Sequence, residues 1–345
     1  MDVFFSGPGN PSAPGSSPGG PGYTGYRLGG GATQRVGGIA VDRRTNHIYI
    51  GFSIQSRLPD NNPDFESAVL AMSHTGALKW WSRLYAERDA NGATQLSTPD
   101  QYVDGLTVDP ATGTLVVLAR CHGNNVSNFW QGNRIAAYPA LSSFHNQFTG
   151  TNGNIHISWL GKLGLDSGTL SCSTFVADYV FDMAGTNAGQ PYADPNLDGW
   201  PSHNAGWPQL NTTRCETDVK VDTSGRVYLL GKGRRVITTA NAFQKMGKRP
   251  TDPSAWSGWV RVFSPRLDTM AYSSLLSGQW DASGAGGDNT RLSGVYPVAG
   301  GVLVAGWHKA TSGTATGNPV PTANVPAWGD SLPDGETGIL AKLPF

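Results

Sequence analysis

The chain has 345 residues, 46 of them glycine and 23 proline, a density that interrupts long helices and excludes a helical bundle or coiled coil. Lys+Arg and Asp+Glu both number 25, so the formal net charge is zero and the footprint of a nucleic-acid binder or a polybasic membrane-surface protein is absent. Hydrophobic residues make up 38%, eleven tryptophans are present, and no apolar run reaches the roughly 20 residues of a membrane-spanning helix. The expectation is a soluble, predominantly β chain that is not membrane-spanning.

Along the chain, Met1-Asp2-Val3-Phe4-Phe5 lacks the basic and apolar segments of a signal peptide. Residues 3–7 read as a short strand like the second strand of the repeat described below, and residues 7–22 as a Gly/Pro-rich linker. The predicted division is therefore an amino-terminal strand and linker, 1–22, followed by a single domain, 23–345. From there, repeats organise the sequence. Gly38-Ile39-Ala40-Val41-Asp42, Gly105-Leu106-Thr107-Val108-Asp109 and Asp218-Val219-Lys220-Val221-Asp222 each precede a short turn and a second apolar strand. A degenerate fourth copy begins at Ser293. Each copy carries the signature of a hairpin.

A second hairpin motif follows at an interval, at 68–82, 159–175 and 259–274, and residues 338–343 supply only its first strand. Tandem four-stranded units with turn chemistry and no helices imply an all-β fold, a β-propeller of four-stranded antiparallel blades. Four blades are clear, with room for a fifth. The segment Tyr23-Thr24-Gly25-Tyr26-Arg27-Leu28-Gly29-Gly30 is expected to close the ring by pairing with residues 339–343, which would also remove exposed edges.

These residues resemble the SBBP beta-propeller repeat family of bacterial, mostly exported, proteins. The similarity rests on residues 38–42, 227–231 and 162–175, and on Thr238-Thr239-Ala240-Asn241-Ala242-Phe243-Gln244. It covers about two-thirds of the chain and implies the propeller fold and export, but transfers no catalytic set. A weaker similarity links residues 71–80 to the signature of quinone-cofactor propellers. It is well formed once, and no cofactor-stacking or metal-ligand set accompanies it.

Strand alternation places the tight turns (43–46, 110–113, 223–225, 74–76, 166–168) on one face of the disc. The long links (52–67, 122–156, 232–258, 307–337, 85–104, 176–217) fall on the other. Long loops on a rigid scaffold are where binding sites concentrate. The aromatics Phe129, Trp130, Trp200, Trp207, Trp256, Trp307 and Trp328 populate these links beside amides and hydroxyls, suited to anchoring a protein partner or stacking on sugar rings. Packing of the insertions onto the propeller is their structural alternative. Tyr49, Trp80, Trp81 and Tyr228 are predicted to pack between blades.

The sharpest local motif is Asp194-Pro195-Asn196-Leu197-Asp198-Gly199-Trp200. It matches the opening of a calcium loop, with side-chain oxygens from Asp194, Asn196 and Asp198 and the backbone carbonyl of Trp200. Position 12 is Ala205, so a bidentate carboxylate must come from elsewhere, and an ion-free turn is the competing reading. Residues 60–64 carry the same oxygens without the glycine. Asp42, Asp109 and Asp222 are predicted to accept backbone N–H groups and fix their turns. The seven histidines lack metal spacing, and no P-loop or nucleophile elbow is present. Cys121, Cys172 and Cys215 form no CxxC motif, and their pairing stays open.

The resulting expectation is an exported, non-enzymatic binding or assembly module, extracellular or at the cell surface with its signal removed. Its long-loop face would contact a protein partner, another copy or a polysaccharide, with structural Ca2+ as the one cofactor. The alternative is a glycan-active hydrolase or lyase drawing on Asp182, Asp194, Glu216 or Asp281, which requires paired carboxylates at a defined separation.

Overall fold

The computed structural model describes residues 3–6, 25–28, 36–57, 63–87, 101–122, 127–131, 156–176, 213–233, 238–244, 257–276, 288–310 and 336–345. Among them every regular element is a β-strand, and no helix is long and apolar enough to cross a membrane. The chain divides into two compact units, Met1–Phe175 and Val176–Phe345.

The first unit opens with the pair β1 (Val3–Ser6) and β2 (Gly25–Leu28). Sheet one follows as β3 (Val36–Asp42), β4 (His47–Arg57), β5 (Pro63–Met72) and β6 (Leu78–Glu87), each antiparallel to the last. Sheet two comprises β7 (Gln101–Asp109), β8 (Thr114–His122), β10 (His156–Gly164) and β11 (Leu170–Val176). Between β8 and β10, β9 (Ser127–Gln131) returns to sheet one and pairs with β6.

The second unit holds sheet three, formed by β12 (Thr213–Val221), β13 (Val227–Gly233), β14 (Ser257–Phe263) and β15 (Met270–Leu275). It also holds the three-stranded sheet four of β16 (Asp288–Val298), β17 (Gly301–Ala310) and β18 (Glu336–Leu343). The four repeated antiparallel sheets expected from the motifs are present.

The copies agree in fine detail. The first strand of every sheet carries a register shift at the same place: between Val36 and Gly38, Val103 and Gly105, Cys215 and Val219, and Leu292 and Gly294. A bulge sharpens local twist, which lets this strand lie across the neighbouring sheet. In the first unit β7 crosses β3, β4 and β5. Glycine is required at this crossing, because a Cβ on Gly37 would sit 1.7 Å from the Val103 carbonyl oxygen. In the second unit β16 crosses β12, β13 and β14 in the same way. There Tyr228, Leu230, Val260, Val262, Tyr272, Leu292, Val295 and Val304 form one buried cluster between sheets three and four.

Of the aromatics predicted to pack between sheets, Tyr49, Trp80 and Tyr228 do so, whereas Trp81 lies on the other face of sheet one against Phe52, Ala68 and Leu70 of the same sheet. The Tyr49 hydroxyl and the Trp80 indole N–H both donate to the Leu165 carbonyl, at 3.3 and 2.8 Å, and Ser82 Oγ donates to the Gly168 carbonyl at 2.7 Å. Three side chains of sheet one thereby clamp one turn of sheet two. In the second unit, Tyr228 and Tyr272 pack around Phe345.

Two edges are covered by segments that the hairpin pattern did not foresee. Strand β9 shields β6, pairing Phe129 with Ala86 and Trp130 with Tyr85. Residues 238–244 run beside β15, where the Thr239 N–H donates to the Ser273 carbonyl and the Leu275 N–H to the Gln244 carbonyl, each at 3.0 Å. Both remove open sheet edge.

The amino-terminal segment departs from expectation. Strand β2 takes β1 as its partner, and no pairing of β2 with β18 exists among the described residues. Its sequence gives the reason: Arg27-Leu28-Gly29 matches Lys162-Leu163-Gly164 of a third strand, where a fourth strand was expected.

Candidate functional site

Each sheet has a closed end and an open end. At the closed end the turn aspartates satisfy backbone donors, as predicted. Asp42 Oδ1 accepts the Arg44 N–H at 3.0 Å, and Asp109 Oδ1 those of Ala111 and Thr112 at 3.0 and 3.3 Å. Asp222 Oδ1 accepts those of Ser224 and Arg226 at 2.9 and 3.0 Å. The side-chain hydrogen bond from Arg44 leads in holding the Asp42 carboxyl below the ordinary range. For Asp222 burial works upward, but donors on Ser224, Arg226 and Tyr228 outweigh it and hold the carboxyl at about 2. Burial pushes the Tyr49 and Tyr228 phenols up to about 12. These shifts keep the two aspartates ionised and the two phenols protonated near neutral pH.

Where sheets one and three use Arg44 and Arg226 beside the turn aspartate, sheet two has a buried cation. Lys162 Nζ lies 2.7 Å from Asp109 Oδ2, and both side chains are buried. On the same sheet, towards the long-link end, Arg120 and Asp104 form a buried two-pronged pair, Nε–Oδ2 at 3.0 Å and Nη2–Oδ1 at 2.5 Å. The sequence reading passed over both pairs. The available signal was a lysine inside the apolar run Trp159-Leu160-Gly161-Lys162-Leu163, and an aspartate at the bulge of a first strand.

The open end receives the long links. Of the residues expected there, Asp194, Asn196, Asp198, Trp200, Trp207, Trp256 and Trp328 lie outside the described residues, as do Asp182 and Asp281. Phe129 and Trp130 belong to β9, and Trp307 to β17, so these three aromatics sit on strands rather than in loops. No group of His, Cys, Asp or Glu able to hold a metal exists among the described residues.

Half-buried Trp307 lies among exposed neighbours on one face of sheet four. It pairs with Arg291 on one side and Gly338 on the other. The Arg291 guanidinium lies 5.3 Å from the indole centroid, a cation–π distance. A Cβ at Gly338 would touch nothing, so the glycine leaves a shelf beside the indole. Strand alternation puts Tyr296, 63% exposed, and Leu340, 69% exposed, on this same face of sheet four, with Lys342 beside them. The opposite face carries Val295, Val302 and Val304 into the core. A large apolar surface beside an aromatic–arginine pair has the composition of a recognition patch.

Comparison with protein-family models and with curated proteins gives no match.

Proposed function

We propose that this chain is a non-enzymatic binding or assembly module on a β-propeller scaffold of the SBBP type, working outside the cell or at its surface. The Trp307–Arg291 shelf on sheet four carries the reading: it pairs a half-buried indole with an exposed guanidinium near the end of β17, the strand that precedes residues 311–335 in the chain. The partner is a protein surface, either another protein or a second copy. Tyr296 and Leu340 supply apolar area, while Arg291 and Lys342 favour acidic groups around its rim. Internal repetition supports the propeller, since each of the two units stacks one four-stranded sheet against the bulged first strand of the next. Calcium at Asp194, Asn196, Asp198 and Trp200 belongs to this proposal as a structural ion bracing one long link.

A glycan hydrolase would require a carboxyl held protonated beside an ionised one. Of the carboxyls named for that chemistry, Asp182, Asp194 and Asp281 lie outside the described residues. No specific observation favours that alternative.

The test is sedimentation velocity over a concentration series, alone and with soluble polysaccharides and acidic proteins, comparing the natural chain with Trp307→Ala. Association lost in the variant supports the module. Release of reducing sugar from any glycan, or association indifferent to Trp307, refutes it.

A further inference from the structure

The packing of successive sheets follows a positional rule that sheet one leaves unfulfilled. Three positions on each first strand face the preceding sheet within a unit. In sheet two they are Val103, Leu106 and Val108; Val103 is fully buried, in contact with the glycine positions 37 and 51 of sheet one. In sheet four they are Leu292, Val295 and Pro297, of which Leu292 and Val295 are buried in the cluster shared with sheet three. Register alignment makes Val36, Ile39 and Val41 the same positions of sheet one. Here they are 49%, 63% and 49% exposed. Phe52, Ala68 and Leu70, themselves buried, with Ile50, Met72 and Trp81 against them, form an apolar cluster on that same face, so the open part is the Val36–Ile39–Val41 strand.

What belongs on this face is a preceding sheet, and the chain carries the start of one. Val3-Phe4-Phe5-Ser6-Gly7 parallels Val302-Leu303-Val304-Ala305-Gly306 and Val227-Tyr228-Leu229-Leu230-Gly231, both second strands. Tyr26-Arg27-Leu28-Gly29 parallels Gly161-Lys162-Leu163-Gly164, a third strand. The pairing agrees as well. Val3 opposes Leu28, just as Leu115 opposes Leu163, Val302 opposes Leu343 and Val227 opposes Phe263. At the position of Gly51, where the crossing strand approaches closely, β1 has the small Ser6.

We infer that β1 and β2 are the second and third strands of a fifth repeat unit, and that they dock on the Val36–Ile39–Val41 face of sheet one. Seven residues, 29–35, link β2 to β3. Extended, they reach about 25 Å, more than the roughly 10 Å between packed sheets. A hairpin of two strands is marginal alone in water and needs such a surface to persist. The inference rests on the repeat alignment and stands whether or not the Trp307 shelf binds a partner.

Hydrogen exchange on the full chain tests it. Amides of β1 and β2 should exchange at least about tenfold more slowly than those of the isolated peptide 1–35, and Ile39→Asp should remove that protection. Sheets two to four should be unchanged. If Ile39→Asp also deprotects β4 and β5, the milder Val36→Ser is read in the same way. Hairpin amides that exchange as in the peptide, or stay protected in both variants, overturn the inference. Protection that appears only at high concentration, together with a dimer in sedimentation, overturns it in favour of a second copy as occupant.

Discussion

Replacing Lys162 by Met removes one charge from a fully buried pair while keeping side-chain volume nearly constant. The ammonium is 2.7 Å from Asp109 Oδ2 and the two side chains are 1% and 0% exposed, so water cannot substitute for the lost partner. Stranding a buried charge in this way costs about 3–5 kcal/mol. Asp109 retains the N–H groups of Ala111 and Thr112 and the Thr112 hydroxyl, which places the expected loss near the lower figure. Adding Asp109→Asn removes the stranded charge but keeps an acceptor for those N–H groups, and should recover all but about 1 kcal/mol. Sheet one offers a second rescue, since its Asp42 is served from the turn by Arg44. Ala111→Arg copies that arrangement onto Lys162→Met, but an exposed arginine restores only about 0.5–1 kcal/mol. Urea unfolding of the natural chain, Lys162→Met, Asp109→Asn and their combination closes a double-mutant cycle, and the Ala111→Arg rescue is measured beside it. A single variant that loses less than about 1 kcal/mol, or a double variant that loses the sum of two independent changes, would refute the reasoning.

Gly37→Ala forces a Cβ to within 1.7 Å of the Val103 carbonyl oxygen and should destabilise the first unit by about 1–3 kcal/mol or more. Gly76→Ala, which has open space but a φ of 86°, should cost only about 1 kcal/mol, and thermal melts distinguish the two. The Asp222 carboxyl is held at about 2, below its ordinary value, so its contribution is complete above the unfolded value and is lost as pH falls from about 4 towards 2. Asp222→Asn should therefore flatten the acid limb of a stability–pH curve by about 2 kcal/mol, and an unchanged limb would contradict the assignment. A chelator should lower the melting temperature of the natural chain but not that of Asp198→Ala. Indifference of the natural chain would remove calcium from the proposal.

Local chemistry was enough to write the hairpins into the sequence. Asp42, Asp109 and Asp222 mark their turns because each carboxylate reaches a backbone N–H only a few residues on, and Asn46, Gly113, Gly225 and Gly300 supply the positive φ that the turns require. Repetition of those signals made the four sheets readable. Contacts between residues far apart in the chain were not readable, because nothing in a run of alternating apolar residues states which other sheet it will meet. Thus Lys162 finding Asp109, Arg120 finding Asp104, β9 crossing to β6, and the arrival of Trp307 on an open face beside Arg291 were decided by tertiary structure alone. The same holds for β2. Its residues already matched a third strand, but only its pairing with β1 revealed the register that the motif by itself leaves undetermined.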